Sequence, residues 1–145
     1  MAGDVSEQVR ICIERNVEKV SREAVSRAHR VSNALRNEEL RVLSGQRSGK
    51  VYKKPCSKAT YTASAPGEAP ARRTGTLRMS FAPYVESSPS GSGGSTIRSG
   101  IRSNVEYAGI LESGSEHMAR RPYRELIIEK AKPEADRIFR EPYGL

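Results

Sequence analysis

Two glycine-rich stretches come nearest to phosphate-binding loops. The first, GQRSGK at Gly45–Lys50, is one residue shorter than the G-x-x-x-x-G-K loop. Val51 follows it, where that loop needs a hydroxyl for magnesium, and a helical pattern rather than a strand precedes it. The second, GSGG at Gly91–Gly94, lacks the strand–turn–helix setting of a dinucleotide fingerprint. Both stretches are interpreted as loops, and we expect no cofactor.

Nucleophiles, bases and metal ligands are few and scattered. His29 and His117 lie far apart in the sequence, and neither has a second ligand at metal-site spacing. A Cys56–His117 nucleophile pair is the one alternative that the sequence leaves open, although no helix start near Cys56 would activate its thiol. Three acidic residues are interpreted as solvated or ion-paired rather than as general acids or bases: Glu106, Glu112 and Glu116. We therefore expect neither enzyme activity nor a bound metal.

The composition predicts one domain with a thin core. The chain has 145 residues, of which 36% are hydrophobic and 6% aromatic, with no Trp. So few large apolar side chains favour oligomerisation. No stretch approaches the ~20 apolar residues of a membrane span, and the charged N-terminus is unlike a signal peptide. Cys12 and Cys56 form no C-x-x-C pair, so we expect reduced thiols in a cytosol, with Cys12 buried on a helix face.

The positive charge is concentrated in the middle of the chain. The formal net charge is +8. Residues 45–82 hold eight basic residues against one acidic residue, Glu68, whereas the segments on either side are nearly neutral. This segment is either a solvated loop or a surface that faces a polyanion, such as nucleic acid or an acidic partner. Only Tyr52 and Tyr61 are available there for base stacking, so we do not expect sequence-specific recognition.

An apolar stripe defines the first element. Small or branched apolar residues recur at spacings of three and four: Val5, Val9, Ile13, Val17, Val20, Ala24, Ala28, Val31 and Leu35. This pattern predicts a helix over about residues 4–43, with Asp4 and Glu7 as a capping box. The helix would be roughly 60 Å long, which exceeds a compact domain of this size. We therefore expect one end to project, or a break near Asn33 or Asn37. A coiled coil is the competing interpretation.

Short extended segments follow between glycines and prolines. Strands are expected at Lys50–Lys54 and Thr60–Ser64, and another is expected to start at Tyr84. SSPSGSGGS at Ser87–Ser95 is expected to be a flexible hairpin tip. The return strand passes through Ile97, Ile101 and Val105, alternating with charged residues.

Three helical segments complete the pattern. Thr74 is expected to cap a short turn with Leu77 and Phe81 on one face. Tyr107–Glu112 is expected to form a short helix or a turn that ends at Gly114. The last helix, over about residues 122–140, opens at Pro122, with a kink or two segments at Pro133. Its expected apolar side comprises Tyr123, Leu126, Ile127, Ala131, Ile138 and Phe139. Residues 1–145 are thus predicted to form a single α+β domain, with a long N-terminal helix and a C-terminal helix on a small antiparallel sheet; residues 45–115 supply the loops and strands.

Four short segments carry a resemblance to a known family. They are SAPGE at Ser64–Glu68, TGTLRMS at Thr74–Ser80, VEYAGILESG at Val105–Gly114 and ARRPY at Ala119–Tyr123. In this order they resemble the HK97 gp10-like family of tailed-bacteriophage neck and tail-completion proteins. That family's pattern runs roughly SAPGxxP, TGxLxxSI, YAxxxExGT and an RPF or RPY start to the last helix. Ser115 departs from it, because the family usually has Thr there.

The resemblance implies a structural virion protein rather than an enzyme. The chain would form a six-fold or twelve-fold ring around the DNA channel at the head–tail junction, after assembly in the host cytoplasm. Implied partners are other copies of the chain, a head connector or head-completion protein, a tail terminator or tail tube protein, and the genomic DNA. No membrane is implied. A small, basic, non-specific nucleic-acid-binding protein unrelated to virions is the alternative.

Two sets of residues are candidates for these contacts. The candidates for the DNA channel or an acidic partner are Lys50, Lys53, Lys54, Lys58, Arg72 and Arg73. The candidates for a subunit interface are Val17, Val20, Ala24, Glu112 and Arg121. Glu112 and Arg121 are expected to pair with each other, either within or between subunits.

Overall fold

The computed structural model describes residues 2–91 and 93–144. The elements in chain order are α1 Ala2–Val42, β1 Val51–Lys53, β2 Thr60–Thr62, α2 Thr76–Ser80, β3 Phe81–Pro89, β4 Ser95–Ser103, α3 Tyr107–Ser113 and α4 Arg124–Phe139. The predicted α+β class, with a long helix at each end of the order and small antiparallel sheets between them, is confirmed. There are two separate two-stranded sheets rather than one.

The first helix, α1, is continuous over 41 residues. The expected alternative of a break near Asn33 or Asn37 does not occur, so one end of the helix projects. The predicted capping box is wrong, because Asp4 lies inside the first turn, where its carboxylate accepts a hydrogen bond from the Gln8 side chain at 3.4 Å. Cys12 is exposed rather than buried, because it lies in the stretch of α1 from residue 4 to residue 19, where every residue is exposed.

The longer hairpin, β3–β4, is paired throughout, from Phe81 opposite Ser103 to Pro89 opposite Ser95. The predicted flexible tip at Ser87–Ser95 was therefore too long, since both of its ends belong to the strands. Residues 90–94 connect the strands, and Ser92 lies outside the described residues. The connection is closed by a hydrogen bond from the Ser90 amide to the Gly94 carbonyl at 2.8 Å.

The predictions for α2 and α4 need correction at their starts. Gly75, with φ 90°, occupies the N-cap position of α2, and Thr74 is not the cap. The Thr74 hydroxyl instead accepts a hydrogen bond from the Thr76 amide at 3.3 Å. The last helix, α4, begins at Arg124 rather than at Pro122, and Pro133 lies within one helix instead of dividing it into two segments.

The core lies where the C-terminal end of α1 meets the start of α4 and the base of the hairpins. Its buried cluster comprises Val42, Leu43, Ala69, Tyr123 and Ile127, with Leu35, Leu77, Phe81, Ile101 and Leu111 packed against it. The middle of α1 packs along α4, burying residues of both helices. Two residues of the predicted α4 face are exposed instead, Leu126 at 38% and Phe139 at 58%, because the stripe is narrower than the spacing suggested.

Candidate interaction surfaces

The N-terminal part of α1 extends away from the rest of the molecule. Every residue from 4 to 19 is exposed, which corresponds to roughly 24 Å of helix. Four apolar side chains there are more than half exposed: Val5 at 62%, Val9 at 53%, Ile13 at 57% and Val17 at 59%. Single exposed apolar residues are ordinary, but a row of four on one helical stripe makes this part of α1 a candidate interaction surface.

The exposed row continues along α1 as the same apolar stripe, which becomes buried towards the C-terminal end of the helix. Val20 and Ala24 are half-buried, and Ala28 and Val31 are buried. Of the residues predicted for a subunit interface, Val17 therefore lies on the exposed part, whereas Val20 and Ala24 lie where the helix enters the body. The helix has one apolar stripe, and α4 and the long hairpin cover only its C-terminal part.

The C-terminal segment after α4 holds α1 at the point where it leaves the body. Arg30 donates two hydrogen bonds to the Glu141 carboxylate, both at 2.6 Å. Arg27, only 2% exposed, donates to the Pro142 carbonyl at 2.9 Å, and its guanidinium lies 3.9 Å from the centre of the Tyr143 ring. We call these contacts of Glu141, Pro142 and Tyr143 with α1 the C-terminal clasp. The sequence did not predict it, because no motif marks the residues that take part. The only available signal was the polar Arg27 next to the apolar stripe.

Glu112 and Arg121 do not pair with each other within the described chain. The Glu112 carboxylate accepts hydrogen bonds from the amides of Tyr123 at 2.9 Å and Arg124 at 3.2 Å. It therefore caps the N-terminus of α4, where the helix dipole favours a negative charge. The Arg121 guanidinium donates to the backbone carbonyl and the hydroxyl of Ser64. Both predicted interface residues thus have roles inside the fold.

The four segments that carry the family resemblance meet at one end of the molecule. Ser64 receives the Arg121 guanidinium, and the Gly67 amide donates to the Arg120 carbonyl at 3.3 Å. The Arg121 amide donates to the Leu111 carbonyl at 2.7 Å. The fourth segment joins them through Leu77, which packs on the same core cluster as Leu111. Segments up to 57 residues apart in the chain thus form one hydrogen-bonded and packed unit.

The basic candidates fall into two groups. The first group is in or beside the β1–β2 hairpin, where Lys54 is half-buried and the others are exposed: Lys50, Lys53 and Lys58. Arg72 and Arg73 are exposed in the loop before α2. The lysines thus share one short hairpin, whereas the two arginines lie in a different loop.

The single carboxylate of the basic segment ties its two loops together. Glu68 accepts hydrogen bonds from the Ser48 hydroxyl at 2.5 Å, the Ser48 amide at 3.1 Å and the Ala65 amide at 2.9 Å. These donors favour the charged form and lower the pKa of Glu68 to about 2. Glu68 therefore serves the loop structure, and the lysines of the hairpin are left with no acidic neighbour in sequence.

The residues considered for chemistry lie on the surface. His29, His117 and Cys56 are all exposed. Among residues 2–91 and 93–144, no three His, Cys, Asp or Glu residues are grouped so that they could hold a metal ion. In the same part of the chain, no helix is long and apolar enough to cross a membrane.

Comparison of the chain with protein families, with curated proteins and with solved structures finds no match.

Proposed function

We propose that the chain is a structural protein of the phage neck, which joins the head connector to the tail as part of an oligomeric ring around the DNA channel. The ring has six or twelve copies, and its place is the head–tail junction of the virion. Its partners are other copies of the chain, a connector or head-completion protein, a tail terminator or tail tube protein, and the genomic DNA. No catalysis or cofactor belongs to this role.

The exposed half of the α1 stripe is the observation that carries the proposal. Four apolar side chains, each more than half exposed, lie on a helix that extends roughly 24 Å beyond its own domain. Burying them removes apolar area from water at about 25 cal/mol per Å2, so contact with another molecule is favourable. Contacts between different surfaces of identical subunits close into a ring when the rotation permits.

The joined sequence segments give independent support. The resemblance rests on four short patterns, each of which is weak alone. In the structure, the Ser64, Gly67, Leu77 and Leu111 segments meet the Arg121 segment through hydrogen bonds and shared core packing. Segments with a common structural role are expected to be retained together in a family, whereas chance matches have no reason to meet in space.

Substitution of Val17 tests the role of the projecting helix. Val17→Asp places a charge on the exposed stripe. Because the Val17 side chain is more than half exposed in the monomer, the free energy of unfolding should change by less than about 0.5 kcal/mol. Assembly should fall sharply. We expect the wild-type chain to form rings, alone or with connectors or tails, in light scattering and negative-stain images, and to restore joining of heads and tails that lack it.

The matched control is Ile11→Asp. Ile11 is 36% exposed and lies about 120° round the helix from Val17, so it introduces the same charge off the stripe. Normal head–tail joining by the Val17→Asp chain would contradict the proposal, and so would failure of the wild-type chain to bind heads or tails.

A small, basic, non-specific nucleic-acid-binding protein is the alternative function. The exposure of Lys50, Lys53 and Lys58 on one hairpin favours it. It predicts DNA binding by the isolated chain, with an affinity that falls steeply with salt, and no association with heads or tails. Imaging the chain with tails and titrating it with DNA therefore distinguish the two functions.

A further inference from the structure

Two tyrosine rings lie side by side on the β1–β2 hairpin. Tyr52 pairs directly opposite Tyr61 in the strand register, and their ring centres are 6.0 Å apart with 31° between the ring planes. Tyr61 is half-buried, whereas Tyr52 remains 49% exposed. A cross-strand aromatic pair stabilises a hairpin, which accounts for the contact between the two rings. That role leaves the exposed half of Tyr52 available to a ligand.

Lysines flank Tyr52 on its own face of the hairpin. The strand pairing continues past the start of β1, where the Ala63 amide donates to the Lys50 carbonyl at 2.8 Å. It also continues past the end of β1, where the Lys54 amide donates to the Ala59 carbonyl at 2.8 Å. Alternate residues of a strand share a face, so Lys50, Tyr52 and Lys54 lie in one row. Successive members of this row are about 7 Å apart along the strand, which places the exposed ring between two lysines.

The hairpin as a whole has an excess of positive charge. Over residues 50–63 there are four lysines and no acidic residue. Lys53 is exposed on the face opposite Tyr52, directly across from Thr60. Among the described helices and strands, β1 and β2 pack mainly on each other. An open hairpin with this charge attracts phosphate groups.

A ring between two lysines matches the chemistry of an unpaired nucleotide. An aromatic side chain stacks on the face of a base, and lysines pair with the phosphates on either side of it. The bases of a duplex are stacked on each other, so they present only their edges and their phosphates to a protein. Lysines alone are therefore enough to hold a duplex, whereas the exposed ring of Tyr52 gains a partner only from an unpaired base.

The spacing of the two rings decides where a base can stack. A base held between two rings needs about 7 Å between them, which is twice the 3.4 Å spacing of stacked bases. The ring centres of Tyr52 and Tyr61 are only 6.0 Å apart, and the 31° tilt narrows the gap on one side. A base therefore stacks on the side of Tyr52 that faces away from Tyr61, and Tyr61 supports that ring from behind.

We propose that the Tyr52 face of the hairpin binds an unpaired stretch of DNA, without regard to its sequence. One base stacks on Tyr52, and the phosphates on either side of it pair with Lys50 and Lys54. The opposite face, with Lys53, attracts the phosphates of a single strand or of a duplex. The inference rests on the DNA contact in the proposed function and names the form of DNA that this face holds.

Substitution of Tyr52 tests the stacking contact. Tyr52→Ile removes the ring and keeps a residue of high strand propensity, so the hairpin should be retained. Fluorescence anisotropy measures binding of a labelled oligonucleotide of mixed sequence and about 12 nucleotides, alone and annealed to its complement. The variant should bind the single strand at least about fivefold more weakly than the wild type, as expected for loss of one stacked base. Its affinity for the duplex should change by less than about twofold, because the lysines are still in place.

Two variants serve as controls. Tyr52→Phe retains the ring and should bind both forms of the oligonucleotide as the wild type does. Tyr107→Leu removes a ring of similar exposure, 43%, from α3 and should also leave both affinities unchanged.

Three results would overturn the inference. The first is unchanged binding of the single strand by the Tyr52→Ile chain. The second is an equal loss of single-strand and duplex binding, because Tyr52 would then only support the hairpin. The third is binding of the corresponding RNA at least about tenfold more tightly than the DNA, which would assign the face to RNA.

Failure of the inference is distinguishable from failure of the proposed function. If the Tyr52→Ile chain binds the single strand as the wild type does, no base stacks on Tyr52. The neck function still stands in that case when the wild-type chain joins heads to tails. If the wild-type chain loses single-strand binding with the ring of Tyr52 but joins neither heads nor tails, the stacking contact stands and the neck function fails.

Discussion

Two carboxylates, those of Glu112 and Glu68, stabilise local structure in the unit formed by the four joined segments. Glu112, in α3, caps α4 across eleven residues of sequence. Glu68 joins the Ser48 loop to the Ala65 loop. Neither residue belongs to a regular sequence pattern, yet each satisfies backbone amides that would otherwise lack partners. Substitutions at these two positions should therefore act on the fold rather than on assembly.

We expect Glu112→Gln to lower the free energy of unfolding by about 1 kcal/mol, the usual scale for loss of a helix N-cap. The amide oxygen still accepts a hydrogen bond but no longer carries the charge that the helix N-terminus favours. Urea unfolding measures the change. Glu116→Gln removes an exposed charge nearby and should have no effect. Equal stabilities of the two variants would rule out the capping role.

The lowered pKa of Glu68 makes the basic segment sensitive to acid. The folded-state pKa is about 2 against an ordinary value of 4.5. The stabilising contribution is therefore fully present above pH ~4.5 and is lost as the pH falls towards 2. The carboxyl carbon of Glu68, followed by NMR, should titrate near pH 2. A midpoint near 4.5 would show that the Ser48 and Ala65 hydrogen bonds do not form in solution.

At the scale of elements, α1 is supported unevenly. Its C-terminal half packs on α4 and the β3–β4 hairpin, whereas every residue from 4 to 19 is exposed. The clasp made by Glu141, Pro142 and Tyr143 sits near the boundary between the two halves. An exposed ion pair contributes little to stability by itself, and the contact of the Arg27 guanidinium with the Tyr143 ring adds to it. Together they hold the middle of α1 against the end of α4.

Removing the clasp should loosen the middle of α1. We expect Glu141→Gln/Tyr143→Ala to lower the free energy of unfolding by about 1 kcal/mol and to raise the hydrogen-exchange rates of amides near Arg27 and Arg30. Tyr143→Phe retains the ring over Arg27 and serves as the control. Exchange that is unchanged in the double variant would show that packing on α4 alone orders this part of the helix.

At the scale of the whole molecule, charge and apolar surface are separated. The projecting helix carries an exposed apolar row, a cavity in the body of the molecule is lined by arginines, and the β1–β2 hairpin carries exposed lysines. This arrangement lets one copy contact its neighbour and a polyanion through different surfaces. In the proposed ring, the hairpin lysines are therefore the first candidates for the DNA channel, and Arg72 and Arg73 lie in a different loop.

The hairpin lysines should govern salt-dependent DNA binding. Each phosphate contact contributes about one unit to the slope of the logarithm of affinity against the logarithm of salt concentration. We expect Lys53→Glu/Lys58→Glu to lower that slope by about two, to weaken retention of DNA in assembled particles and to leave ring formation intact. Fluorescence titration at several salt concentrations measures the slope. An unchanged slope and unchanged DNA retention would exclude the hairpin from the channel.

Sequence periodicity was enough to predict those helices and strands that form because of a local pattern of apolar residues. The spacing of Val5 to Leu35 predicted α1, and the Ile97–Ile101 alternation predicted a strand that became β4. Glycines and prolines indicated the connections. The predictions failed where a distant residue decides the outcome. Pro122 has the usual features of a first helical residue, yet α4 starts at Arg124, where Glu112 caps it.

The candidate interaction surfaces, like the elements, were predictable from the sequence only in part. The sequence by itself determined that α1 has one apolar stripe too long for a small domain to cover, because helical spacing is a local property. Only the tertiary structure decided which half stays exposed, because that depends on where α4 and the long hairpin pack. It also gave Glu112 and Arg121 partners within the fold, and it brought Arg72, Arg78 and Arg121 around one cavity. Contacts between residues tens of positions apart leave no periodic signal in a single sequence.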